Sequence, residues 1–202
     1  MTTEHAVRLA HRLVGSVIRA NGVGLRIVEV EAYGGPGDSA SHARFGRTRR
    51  TRPMWGPEGR LYIYLCYGLH NMVNVSAGPE GVASAVLVRG AEVIEGESIA
   101  TLRRGRDAKR PGAMAGPGKV GQTLGLQVED SGTHADIDWL RLPLPVRVGP
   151  RIGIDYASPE DVAAELRFWI DGHDQVSRWR NPKPRGVLEN GQPSGGRSFR
   201  GT

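Results

Sequence analysis

"SVIRANGVGLRIVEVEAY" (Ser16–Tyr33) holds two runs rich in Val and Ile, separated by Asn21-Gly22. Asn and Gly adopt positive φ most readily, and the pair between two such runs marks a tight β-hairpin. In the second run Ile27, Glu29, Glu31 and Tyr33 fall on one face, with Val28, Val30 and Ala32 on the other. A sheet that starts with a hairpin starts antiparallel.

Working outward, the preceding "MTTEHAVRLAHRLVGS" reads as an amphipathic helix with Ala6, Ala10, Leu13 and Val17 on one side, and it has no hydrophobic signal region. After Tyr33 comes a Gly/Pro/Arg segment, residues 34–60, with little periodicity; a connection this long in a compact domain is usually functional or disordered. "LYIYLCYGLHNMVNVSAG" (Leu61–Gly78) reads as two strands about a bend at Gly68–Asn71, with Tyr67 at its rim. "GVASAVLVRGAEVIEG" is a strand leading into a helix. "GPGKVGQTLGL" opens a helix with Pro117 at an early position. "VRVGPRIGID" is a strand, and "SPEDVAAEL" a helix capped by Ser158, with Pro159 first and Asp161 near the positive end of its dipole. "RFWIDG" is the last strand. The expected class is α+β: a single domain over residues 1–180, a mostly antiparallel sheet with flanking helices and a protruding β-hairpin. Residues 181–202, poor in apolar side chains and rich in Pro, Gly and Arg, form a basic tail expected to be disordered.

No segment approaches the apolar length of a membrane helix. The single cysteine, Cys66, excludes an internal disulfide framework and a multi-cysteine zinc site, and makes a reducing, intracellular compartment the default. Six histidines show no HExxH spacing. "AGPGKVG" is not a phosphate-binding loop, because Ala113 and Val120 stand where Gly and Ser/Thr are needed. Charge is strongly segregated. Residues 43–60, 103–119 and 178–202 each carry +5 on a chain of +6, so the remainder is −9. Three basic segments are the footprint of a protein that grips a polyanion with loops; solvated Arg-rich loops give the same count. Glu31, at the end of an apolar strand beside Tyr33, suits a general base; a solvated edge-strand carboxylate fits the same pattern, and fits Glu29 equally well.

Taken together, "RIVEVEAY", "GDSASHARFGRT", "RPMW", "GRLYIYLCYGLHNMVNVS", "VLVRGAEVIEG", "GPGKVGQTLGL" and "RFWIDG" resemble the 3-methyladenine DNA glycosylases of the alkyladenine type, in order over residues 6–180. Gly34 and Thr51 depart from that family's usual residues. The resemblance implies a monofunctional hydrolase that rotates a damaged purine out of duplex DNA and cleaves its glycosidic bond with water. By that resemblance Glu31 is the general base and Arg89 helps hold the water. Tyr33 and Tyr64, with His42 opposite, form stacking walls for 3-methyladenine, 7-methylguanine, hypoxanthine or etheno-adenine. Asn74 crowds the guanine amino group, Tyr67 is the wedge that fills the vacated stack, and Lys119 contacts phosphate. Tyr62 is read as core. No metal or organic cofactor is implied. The partner is double-stranded DNA, the protein is expected to be a monomer without membrane association, and its place is the bacterial cytoplasm at the nucleoid or, in a eukaryote, the nucleus. Two rivals remain at this stage: a lesion- or RNA-binding module without turnover, and a hydrolase of free nucleotides.

Overall fold

Asn21 and Gly22 take φ of 49° and 78°, the left-handed pair that closes a two-residue hairpin. They join β1 (Val17–Ala20) to β2 (Val23–Tyr33), with Ala20 opposite Val23 and Val17 opposite Arg26. The structure, a computed structural model, describes residues 2–140 and 144–178; the expected tail, residues 181–202, lies outside them. The remaining strands are β3 (Leu61–Cys66), β4 (His70–Ser76), β5 (Ala85–Glu95), β6 (Asp136–Asp138), β7 (Arg147–Gly149) and β8 (Arg167–Trp169). The helices are α1 (Thr2–Leu13), α2 (Glu97–Arg104), α3 (Pro117–Leu124) and α4 (Pro159–Ala163).

The described chain folds as one α+β domain around a single curled sheet in the order β3-β4-β5-β2-β1-β6, every pair antiparallel. β2 is its spine. One edge of β2 pairs with β5 along nearly its whole length, while the other pairs with β1 near the start and with β8 at Glu29–Glu31. Glu29 and Glu31 are therefore not edge-strand carboxylates; both are fully buried. Register shifts on either side of Glu29 re-aim this part of the strand.

α1 lays Ala6, Leu9, Ala10 and Leu13 into the core. Val17, expected on that helical face, sits in β1 instead, because the helix stops at Leu13 and Gly15 turns the chain at φ 90°. Gly34 marks how closely α1 approaches: a Cβ there would lie 2.4 Å from Thr3 Oγ1. Within residues 34–60 two 3-10 turns form, His42–Phe45 and Arg52–Trp55. The strand expected over residues 146–155 shrinks to β7, since Pro150 brings no N–H and Gly153 turns at φ 79°. β6 was not expected. The Ser158 hydroxyl caps α4 by accepting from the Asp161 N–H, as its sequence implies.

β3 and β4 pair from Leu61–Val75 to Cys66–His70, and the connecting turn is Tyr67–Leu69 rather than Gly68–Asn71. His70 and Asn71 belong to β4. α3 backs this pair at very short range. A Cβ on Gly121 would fall 1.9 Å from the Asn71 carbonyl oxygen, and one on Gly118 would fall 2.9 Å from His70 Cγ. The Asn71 amide donates to Leu126 O (3.0 Å) and Gln127 Oε1 (2.9 Å), so β4 is tied to the segment that follows α3.

Candidate active site

Glu31 is reached by three donors. The Tyr33 hydroxyl (2.9 Å) and Arg89 Nη1 (3.2 Å) both donate to Oε2, and the Ile152 N–H donates to Oε1 (2.7 Å). Tyr33 comes from the same face of β2, Arg89 from the neighbouring β5, and Ile152 from the segment after β7. Burial, and after it the Glu31 charge, pushes the Tyr33 phenol well above the ordinary tyrosine range. That hydroxyl stays a donor.

Arg89 joins Glu31 to a second buried acid, its Nε lying 3.4 Å from Glu29 Oε1. Glu29 also accepts from Arg167 Nη1 (3.0 Å) and from the Ser177 N–H (2.7 Å). Burial raises the Glu29 carboxyl above its usual range, with Ser177, Arg89 and Arg167 opposing the rise. The result is a chain of alternating charge, Arg167–Glu29–Arg89–Glu31, in which removing Arg89 would strip the buried Glu31 of its ion-pair partner at about 3–5 kcal/mol.

Beside it is a small cavity of about 40 Å³, lined by Tyr33, Ala40, His42, Met54, Tyr62, Tyr64, Asn74, Ala85 and Tyr156. It has room for a few waters. His42 and Tyr64 touch edge to face with centroids 4.6 Å apart. Stacking a base between two rings requires about 7 Å, two layers at 3.5 Å, so these two side chains form one wall together. Where His42 and Tyr64 were expected on opposite sides, their rings touch here, and Tyr33 is a further aromatic lining the same cavity. Tyr62 is buried as expected, yet it also lines the cavity, and its hydroxyl lies 2.9 Å from His42 Nδ1 and orients that ring.

Burial first, then Arg50 and Arg44, lowers the His42 pKa to about 4, and burial pushes Tyr62 up to about 12. Both are neutral at pH 7. The His42 shift carries a stability prediction. Between its ordinary value of 6.5 and about 4 the unfolded chain binds the proton more tightly, so this contribution is intact above pH 6.5 and is lost as pH falls toward 4. His42→Asn should flatten the pH dependence of the thermal midpoint in that window; an unchanged profile would remove His42 as its source.

Asn74 is buried, and its amide nitrogen donates to Tyr62 O (2.9 Å) and Met72 O (3.2 Å). Two carbonyl partners fix which end of the amide is which, so the side chain cannot rotate away from an entering group.

Tyr67 and Lys119 stand apart from the cavity. Tyr67 is 91% exposed at φ 51°, a conformation that costs a bulky residue roughly 1–2 kcal/mol, and the next side chain but one, Leu69, is 76% exposed. Lys119 Nζ donates to Gly112 O (2.9 Å); burial, then Arg104, Arg106 and Arg110, lowers its pKa. Two of the three basic segments thus bracket the β3–β4 pair, one around Lys119 and the other in a groove lined by Arg47, Arg49, Arg50, Arg52 and Arg60 together with Trp55, Tyr64 and Leu65.

Sequence reasoning missed Asp38, Arg151 and Tyr156. Arg151 makes a buried two-pronged ion pair with Asp38 (2.7 and 3.0 Å) and lies over the Tyr33 ring, 4.8 Å from its centroid. Tyr156 lines the cavity and donates to Ala40 O at 2.9 Å. Asp38 stands in "GDSASH" and Arg151 and Tyr156 in "RIGIDY", but nothing local signals their meeting. Among the described residues no cluster of His, Cys, Asp and Glu is arranged to hold a metal, and no helix is long and apolar enough to cross a membrane.

Comparison with known proteins points to one family. The family model described as methylpurine-DNA glycosylase matches residues 1–174. A protein of Arabidopsis thaliana named DNA-3-methyladenine glycosylase is 47% identical over 183 residues, covering 87% of this chain and 72% of its own. Proteins of Nitrosococcus oceani and Corynebacterium glutamicum, each named putative 3-methyladenine DNA glycosylase, are both 42% identical, over 89% and 84% of this chain and 92% and 90% of theirs. A match of this extent, on a chain with a buried carboxylate behind an aromatic pocket, has one reading: the chain belongs to the methylpurine-DNA glycosylase family, whose members hydrolyse N-glycosyl bonds in DNA.

Proposed function

We propose that the protein acts as a monomer on double-stranded DNA, rotates alkylated or deaminated purines into the pocket between Tyr33 and the His42–Tyr64 wall, and releases them by hydrolysis. 3-Methyladenine, 7-methylguanine, hypoxanthine and etheno-adenine are its substrate class. The observation that carries this reading is the Glu31 carboxylate, fully buried and fixed by Tyr33, Arg89 and Ile152 directly behind that pocket.

A carboxylate offers about four acceptor positions. Oε2 has two filled, by Tyr33 and Arg89, and Oε1 has one filled, by Ile152. The open position on Oε1 takes the proton of the attacking water, while the negative charge faces the oxocarbenium character growing at the anomeric carbon. No lysine nucleophile takes part; Lys119, away from the pocket, contacts phosphate. A cationic base such as 3-methyladenine stacks on an electron-rich ring with an extra ~0.5–2 kcal/mol, and a neutral His42 does not repel it. Tyr67 enters the stack the base has left.

Free-base release from duplexes carrying one of these lesions each tests the reading, with an abasic site on an intact strand as the expected product. Binding without release would make the protein a recognition module. A covalent adduct trapped by borohydride would replace water by an amine.

Asn74 supplies a sharper prediction. Asn74→Ala vacates space at the guanine amino group, so excision of guanine lesions should rise several-fold relative to adenine lesions, even though two carbonyls lose a donor at about 1–3 kcal/mol of stability. An unchanged ratio of release rates would leave Asn74 as a purely structural strand residue.

A further inference from the structure

Three rings of the pocket each meet a guanidinium. Arg50 lies 5.1 Å from the Tyr64 centroid, Arg44 lies 4.9 Å from that of Tyr156, and Arg151 lies 4.8 Å from that of Tyr33. Arg50 is exposed and Arg44 half-buried, so solvent screens their charge. Arg151 lacks that screening: its side chain is 0% exposed and its partner Asp38 is 3% exposed. Beyond the ion pair, Arg151 Nη1 donates to Ala32 O at 3.1 Å, while Asp38 accepts from the Gly34 and Ala40 N–H groups at 2.8 and 3.0 Å. The guanidinium is thereby held in place over the ring.

A cation on one side of an aromatic ring draws on the same electron density that would attract a second cation on the other side. We propose that Arg151, held by Asp38 behind Tyr33, is a specificity-determining residue that reduces the preference of the pocket for positively charged purines and so admits neutral ones. It acts through Tyr33 and does not touch the base. The inference rests on the Tyr33 pocket being the base site.

The test uses two duplexes, one with 7-methylguanine, which is cationic, and one with etheno-adenine, which is neutral. Single-turnover release gives for each a half-saturating enzyme concentration and a maximal rate. A structural role for Arg151 would shift both duplexes alike; the charge effect appears in the ratio of their half-saturating concentrations. Asp38→Asn/Arg151→Gln removes both charges together and should move that ratio about three- to tenfold in favour of 7-methylguanine. Arg151→Lys keeps the charge and should hold the ratio near that of the unaltered protein while maximal rates fall. Asp38→Asn alone leaves the guanidinium unopposed and should move the ratio the other way, so the sign of the effect is tested even if the double variant fails to fold. An unaltered protein that releases neither base overturns the base-site reading and this inference with it. Activity on both duplexes with one ratio throughout the series overturns the role of Arg151 alone.

Discussion

Glu31→Gln is expected to lose about 10²–10⁴-fold in the single-turnover rate of base release, the range attributed to a positioned general base, while still binding lesion DNA. The change keeps the volume of the side chain but not its hydrogen bonding. All three partners of Glu31 are donors, whereas a glutamine presents one acceptor and one donor. Its oxygen stays with Tyr33 and Arg89, two contacts against one, and its NH2 then faces the Ile152 N–H. That N–H loses its acceptor, costing about 1–3 kcal/mol, so the thermal midpoint should drop together with activity. Two measurements separate the effects: the cleavage rate at saturating enzyme, well below the melting transition, and the midpoint itself. A variant that melts earlier yet turns over at the original rate would remove Glu31 from the chemistry and leave it a packing residue.

Tyr67→Ser should reduce the equilibrium for holding the damaged nucleotide out of the helix by roughly ten- to a hundredfold, because a base stacked on an aromatic ring is worth ~1–3 kcal/mol. The step that breaks the bond should barely change, since Tyr67 lies outside the pocket that contains Tyr33 and His42. Etheno-adenine fluorescence reports the first event and base release the second. In single-stranded DNA there is no stack to refill, and the variant should recover most of the loss. Equal impairment on single and double strands would mean that Tyr67 acts on something other than the stack. The native conformation already argues for a use: a tyrosine 91% exposed at φ 51° is a poor choice for a turn that only has to turn.

Local chemistry was legible in the sequence, and long-range pairing was not. The Asn21-Gly22 turn, the Ser158 cap and the α3 start could be read because each depends on a few adjacent residues. The place of β2 could not. An alternating strand looks the same at an edge and at the centre, and only β5 on one side and β8 on the other bury Glu29 and Glu31. Most of the proposed site residues came from a likeness between whole motifs, and the structure gathers Tyr33, His42, Tyr64 and Asn74 around one cavity with Glu31 and Arg89 behind Tyr33. The contact of His42 with Tyr64 joins a 3-10 turn to β3 and lies beyond the reach of spacing. The Asp38–Arg151 pair spans 113 positions of chain, and no periodicity connects residues so far apart.

Tyr33 lines the pocket with its ring and donates its hydroxyl to Glu31. One side chain thus answers to two demands, and laboratory evolution toward a new lesion will meet that linkage early. Libraries randomised at Tyr33 should fill with inactive clones, because nearly every replacement takes the hydroxyl away along with the old wall. Asn74 and Tyr156 make their hydrogen bonds elsewhere, to Tyr62 O and Ala40 O. On the function proposed above, diversity introduced there changes which base is accepted while leaving Glu31 and its partners in place, and a retargeted enzyme is most quickly reached from those two positions.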